Sequence, residues 1–241
     1  MPEFLTISGR RIAVERRAGR APGLFWLSGY RSDMTGSKAT AVDAFGAAHG
    51  LAVTRFDYSG HGQSEGMFEN ATVGDWLEEA IAVFSGLTTG AQIVVGSSTG
   101  GHIALLLLRH LVANDPREAE RLRGLVLIAP AWDLTEELMW KQFPEQARQE
   151  ILEQGYTLRP SEYGEPYRIT RRFIEEGRDH LFARHPFNPG RPISILQGLQ
   201  DTYKAIARPR GFSETHMYCG VLLFEALTLR YLLLYLFVLQ A

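Results

Sequence analysis

The sequence predicts an α/β fold with a mostly parallel sheet and helices on both faces, and three observations carry that expectation. Short apolar runs at Leu24–Leu27, Leu51–Phe56, Ile93–Val95, Leu125–Ile128 and Ile193–Leu196 alternate with segments of helical spacing, the order required when parallel strands are joined by crossover helices. Each run ends in turn-forming residues: Ser28-Gly29-Tyr30, Asp57 to Gly66, Gly96 to Gly101, Pro130, and Gln197 to Asp201. These ends fall beyond the carboxyl edge of the strands, where open parallel sheets collect their ligands. No internal repeat and no Pro- or Ser-rich linker divides the 241 residues, so a single large domain is expected.

Taken in order, Phe4–Ile7 and Arg11–Val14 flank Ser8-Gly9 and read as an opening hairpin. Ser37–His49 carries Ala41, Val42, Phe45 and Ala48 at helical spacing, with Gly50 as its C-cap. The stretch after Phe56 is too rich in glycine to be anything but a loop. Thr72 with Asp75 three residues on resembles a capping box, opening a helix with Val73, Trp76, Leu77, Ala80, Ile81 and Phe84 on its apolar face. Ala91–Leu108 then reads as strand, sharp turn and helix around Gly96-Ser97-Ser98-Thr99-Gly100. From Trp132 to Phe187 the alternation breaks into helical segments, about Leu134–Phe143, Glu145–Gln154 and Thr170–Phe182, dense in aromatic residues. Those aromatics fit either the insertion's own core or a lid over the strand ends.

Composition excludes several classes. With 25 basic and 27 acidic residues and a net charge of -2, the chain has no electrostatic case for nucleic acid or an anionic membrane. A single cysteine, Cys219, rules out an intrachain disulfide and a cysteine metal cluster. The seven histidines form no H-x-x-x-H or H-E-x-x-H pair, so no metal or other cofactor is expected. The first residues lack a basic region followed by an apolar one, and the expected compartment is the cytoplasm or an organelle matrix.

The pattern G-x-S-x-G between a strand and a helix is a nucleophile elbow, in which a strained turn lifts the central serine, Ser98, to an exposed apex. Small residues are needed two positions before and after it, and Gly96 and Gly100 stand there. A carboxylate ending a strand downstream of the elbow is where a Ser…Asp…His hydrolase places its acid, and Asp201 has that position. Asp201 also fits a plain turn residue after glycine.

With these residues placed, the chain resembles the α/β-hydrolase superfamily, and within it the group of palmitoyl-protein thioesterases that also act as acyl-glucuronide esterases. The segments carrying the resemblance are Gly29 to Ala39, Arg55 to Gly60, Gly62 with Ser64 and Gly66, Gly96 to Gly101, and Leu196 with Gly198 and Asp201. The resemblance covers about residues 5–201 and implies a hydrolase core over 1–201, with a lid insertion at about 132–187, followed by an atypical tail over 202–241. It implies Ser98 as nucleophile, Asp201 as the acid that orients a histidine, and the backbone N–H groups of Tyr30 and Thr99 as oxyanion donors. Asp133 is a second position for the acid. The implied substrate is a small-molecule or acylated-protein ester or thioester.

Serine needs a histidine to take its proton, and in this fold that histidine follows the last strand. Only His216 lies after Asp201. Fourteen residues separate the two, whereas the fold places a helix and a strand there, about 25 residues or more. His61 and His102 precede the acid and read as packing or rim residues. Residues 202–241 depart from the rest, with only Glu214 and Glu225 as acids and an apolar end from Tyr231 to Leu239. A membrane span needs about 20 apolar residues, and Glu225 and Arg230 interrupt the candidate. We read this tail as an out-of-frame or alternative end, which translating the encoding DNA in the other two frames beyond residue 201 tests.

Overall fold

The computed structural model describes residues 1–161, 164–182, 188–198 and 219–224. An eight-stranded sheet runs through the molecule. Its strands are β1 (Glu3–Ile7), β2 (Arg10–Arg17), β3 (Arg20–Leu27), β4 (Leu51–Phe56), β5 (Gln92–Ser97), β6 (Leu122–Ile128), β9 (Ile193–Gly198) and β10 (Cys219–Phe224). They lie in the order β1-β2-β4-β3-β5-β6-β9-β10. The β1–β2 hairpin joins β4 antiparallel, and all later pairings are parallel.

Alternating side chains of the strands supply two cores, as a sheet covered on both faces requires. On β3, Leu24 and Trp26 pack with Ala39, Val42 and Phe45 of helix α1 (Ser37–His49). Phe25 and Leu27 face the opposite side, toward helices α2 (Val73–Leu87) and α3 (Thr99–Asn114). The capping box at the start of α2 is present: Thr72 Oγ1 accepts from Asp75 N at 3.2 Å, and the Asp75 carboxylate accepts from Thr72 N at 2.9 Å. In α3, every residue from Ile103 to Leu108 is at most 1% exposed. Such an all-round apolar helix is one buried on every side, here by sheet, α2 and the segment that follows β6.

That segment adds a hairpin between its expected helical pieces. After β6 come a turn of π-helix (Leu134–Met139), a short 3₁₀ turn and helix α5 (Glu145–Gln154). An antiparallel hairpin follows, β7 (Tyr156–Ser161) with β8 (Gly164–Thr170), and then helix α6 (Arg171–Gly177). The hairpin was hidden because its strands are short and partly polar, so neither a period of two nor one of 3.6 stands out. A short helix α4 (Pro116–Arg121), opened by Asp115 and Pro116, also went unread.

The second difference lies in the tail. Residues 219–224 form β10, parallel to β9 from Cys219 opposite Ile193 to Phe224 opposite Gly198. Among the described residues the sheet therefore continues one strand beyond β9, although the sequence reading found no place for it. Its apolar run merges with the leucine-rich residues beyond and so lacks the boundary by which a strand is recognised. Asp201 and His216 lie outside the described residues.

Candidate active site

Ser98 follows β5 with φ 53° and ψ −116°, a backbone region that costs a non-glycine residue about 1–3 kcal/mol and persists only when its surroundings hold it. They do so through the main chain. Ser98 N donates to Ile128 O at 2.9 Å, while its carbonyl accepts from Gly101 N at 2.9 Å and Ala131 N at 3.0 Å. The flanking glycines are required by contact: a Cβ on Gly96 would stand 2.3 Å from Gly100 O, and one on Gly100 would stand 2.0 Å from Leu27 O. The side chain of Ser98 is half-buried and borders a cavity of about 190 Å³, together with Gly29, Tyr30, Ser32 and Lys38.

Tyr30 lies in the loop after β3, which abuts the turn holding Ser98. A Cβ on Gly29 would stand 3.2 Å from Ser97 O and 3.4 Å from Ser98 Cβ. Thr99, the first residue of α3, is buried. Among the described residues, neither the Tyr30 nor the Thr99 amide donates a hydrogen bond. Two amides from different elements are thereby left unspent beside Ser98.

The loop from Gly29 to Gly36 is held by side chains that sequence reading did not single out. Asp57, 1% exposed, accepts from Met34 N at 2.7 Å and Gln63 N at 2.8 Å, so one carboxylate joins this loop to the one after β4. Burial raises the Asp57 pKa, and the two amide bonds act against that rise. Arg55 donates to Met34 O at 2.7 Å and pairs with Glu15 at 2.8 Å. The signal was available, since Arg55 and Asp57 both belong to the segment Arg55 to Gly60 that carries the resemblance.

His61, expected as a packing or rim residue, is buried and packed. Its ring stands edge-on to Phe68 and Trp76 at 5.1 and 5.3 Å, and burial lowers its pKa to about 4. His102 is a packing residue as expected: it is buried, meets Phe182 edge-on at 5.2 Å, and has its pKa lowered by burial to about 3. Asp133, the alternative acid, is buried with φ 46° and accepts from Phe182 N at 2.7 Å, which ties it to the end of the post-β6 segment.

That segment covers the sheet edge and shares a larger cavity with it, about 630 Å³, lined by Arg31, Asp33, His61, Phe68, Leu158 and Tyr167 among others. Its aromatics divide by position. Phe143, Phe173 and Phe182 are buried core, while Tyr167 borders the cavity and stacks under Arg31 at 4.3 Å. The Tyr30 ring joins the two regions, meeting Phe68, Tyr167 and Phe173 at 4.9, 6.0 and 5.7 Å.

The parallel sheet, the strained serine between β5 and α3 and the adjoining glycine loop define a hydrolase fold, and the family model for the alpha/beta hydrolase family matches residues 21–227. The chain belongs to that family. It is similar to the human mitochondrial palmitoyl-protein thioesterase ABHD10, 34% identical over 192 residues that cover 79% of this chain and 60% of the relative. The chain thus spans about 60% of the length of the curated relatives it matches. Among solved structures, a putative hydrolase from Agrobacterium vitis is 37% identical with a TM-score of 0.84, covering 92% of this chain and 89% of that one. Mouse alpha/beta hydrolase domain-containing protein 10 is 30% identical with a TM-score of 0.80, covering 98% and 96%. Among the described residues, no helix is long and apolar enough to cross a membrane.

Proposed function

We propose that this chain is a serine hydrolase that cleaves carboxyl esters or acyl thioesters through an acyl-Ser98 intermediate. The observation that carries the reading is Ser98 itself, held at φ 53° by three main-chain hydrogen bonds at the mouth of a cavity. Ser98 Oγ attacks the carbonyl carbon of the substrate, and the oxyanion that forms is met by the amides of Tyr30 and Thr99. One such donor is worth about 3 kcal/mol of transition-state stabilisation. The serine proton passes to a histidine oriented by Asp201 and then to the departing alcohol or thiol, after which water cleaves the acyl-serine. The similarity to a palmitoyl-protein thioesterase favours thioesters and long acyl chains as substrates, and a mitochondrial or other reducing compartment as the setting. A fluorophosphonate probe is expected to label the wild type and not Ser98→Ala; equal labelling of both rejects the reading.

A second reading, a catalytically impaired hydrolase fold that binds a ligand or partner, is favoured by one observation. The fold takes its proton acceptor from after the last strand, whereas His216, the histidine that follows Asp201, precedes β10. Loss of the base alone costs on the order of 10⁶ in kcat. Hydrolysis of short p-nitrophenyl esters by this chain, compared with a version whose residues 202–241 are replaced by a hydrolase C-terminus bearing an Asp-His motif, separates the two. Equal turnover by both chains rejects impairment.

A further inference from the structure

His61 is engaged at both ring nitrogens. Nδ1 lies 3.1 Å from Ser59 O, and Nε2 lies 3.2 Å from the backbone nitrogen of Arg31. A carbonyl oxygen only accepts and a backbone N–H only donates, so these partners require the tautomer with hydrogen on Nδ1 and a free lone pair on Nε2. The ring is 6% exposed and walled by Tyr58, Phe68 and Trp76, which leaves it no freedom to turn.

The amide it receives sits at a particular point. Ser32 N donates to Gly29 O at 3.0 Å, closing a four-residue turn with Tyr30 and Arg31 at its centre. Arg31 has φ 55°, whereas Tyr30 is not among the positive-φ residues. A positive φ at the third residue alone is the mark of a type II turn, whose third position is ordinarily glycine or asparagine. Type I, which suits most residues, differs by rotation of the central peptide. That peptide carries the Arg31 N–H, which the His61 acceptor holds. An arginine is thus kept in a glycine-like conformation by a buried imidazole.

We propose that His61 is a positioning residue for the proposed oxyanion loop: by accepting from Arg31 N–H it fixes the Gly29–Ser32 turn in the form that leaves Tyr30 N–H beside Ser98. The inference rests on the reading of Tyr30 N–H as an oxyanion donor. His61 touches no reacting atom, and its effect passes through the turn. The neutral state it needs agrees with its burial, which keeps its pKa at about 4.

The test uses the full chain with ¹⁵N labelling and a fluorophosphonate probe. In the wild type, long-range ¹H–¹⁵N spectra are expected to show hydrogen on His61 Nδ1 and none on Nε2; the opposite tautomer overturns the proposal. His61→Phe keeps the ring volume and loses the acceptor. It is expected to move the Arg31 amide proton upfield and slow the maximal rate of Ser98 labelling about tenfold to a hundredfold, below the 10²–10³ ceiling for deleting a donor outright. Half-saturation by the probe should stay unchanged, and His61→Gln, which returns an acceptor, should recover most of the rate. An unmoved Arg31 amide with an unchanged labelling rate overturns the proposal. If His61→Phe does not fold, the wild-type tautomer and the His61→Gln rate decide. A wild type with the expected tautomer that is inert to the probe, together with the expected amide shift in His61→Phe, overturns the serine-hydrolase reading and supports the hold of His61 on the turn.

Discussion

The two walls of the site are held in opposite ways. The turn around Ser98 is held by main chain against main chain, with glycines at 96 and 100 where any Cβ would strike a backbone atom. The facing loop, Gly29 to Gly36, is held by side chains from other elements: Asp57 and Arg55 at Met34, and His61 at Arg31. Backbone bracing admits almost no adjustment, because no torsion can move the offending atom without parting β3 from α3. Side-chain bracing can relax, and each bond can be removed one at a time. The first wall is therefore expected to fail all at once and the second by degrees.

The largest effect is expected where the first wall is broken. Gly100→Ala places a Cβ 2.0 Å from Leu27 O and 2.6 Å from Ser28 O, and none of these atoms can rotate away. A loss of more than about 4 kcal/mol is expected, read as a collapse of the urea midpoint or as failure to obtain folded protein; a loss below about 1 kcal/mol would show that the turn has room to move. Asp57→Ala comes next. It leaves the buried Met34 amide without its acceptor, at about 1–3 kcal/mol for such a group, while the amide of the exposed Gln63 can turn to water, so a loss of about 1–3 kcal/mol is expected in the same measurement. Asp57→Asn keeps an acceptor for only one of the two amides and should fall between. An Asp57→Ala chain as stable as wild type would mean that the loop does not depend on this brace.

The contrast also explains what could be read from the sequence. The turn at Ser98 is local: five consecutive residues carry its sterics, and the flanking strand and helix are adjacent to it in the chain. The braces of the second wall are 23, 21 and 30 residues from what they hold. Arg55 appeared only as part of a family segment, Asp57 there and at a strand end, and His61 as a packing or rim residue, since pairing across that distance is set by β4 lying beside β3. Helices α1 and α2 were legible because their caps and apolar faces are short-range patterns. The β7–β8 hairpin was not, for its stability comes from pairing and from packing on the core rather than from its own residues. Strand β10 was missed for a related reason: it is defined by its register against β9, not by composition.

Acid should act on the fold through the His61 brace of the second wall. The unfolded chain protonates His61 near its ordinary pKa of 6.5, whereas the folded chain does so only at about 4. Between these values the unfolded state binds a proton that the folded state refuses, so stability falls as pH drops from about 6.5 to about 4, and this group costs nothing further below that. The full span corresponds to roughly 3 kcal/mol. His102, depressed to about 3, adds a slope of the same sign. The two are separated by His61→Gln, which should flatten the curve by the His61 share and leave that of His102. Unfolding free energies at pH 4, 5, 6 and 7 give the comparison, and parallel curves for the two proteins would contradict it.

The smallest effect tests whether side-chain bracing extends to the segment over the site. Helix α6 docks on the first turn of α2, where Gly74 N donates to Glu176 Oε1 at 2.9 Å, and His180 Nε2 shares that oxygen at 2.7 Å. A Cβ on Gly74 would meet Glu176 Oε1 at 2.2 Å. The obstruction here is the end of a flexible carboxylate, so Gly74→Ala can be accommodated by a rotation of Glu176 that gives up the Gly74 bond. Replacing glycine by alanine in a helix also returns up to about 1 kcal/mol, so global stability should change by less than about 1 kcal/mol. What should change is local. Amide exchange in 171–177 is expected to quicken while exchange in α3 stays as it was, because the open form needs only the contact of α6 with α2 to be broken. A Gly74→Ala chain destabilised as severely as Gly100→Ala would place α6 among the backbone-locked parts of the molecule and remove the distinction between the two kinds of wall.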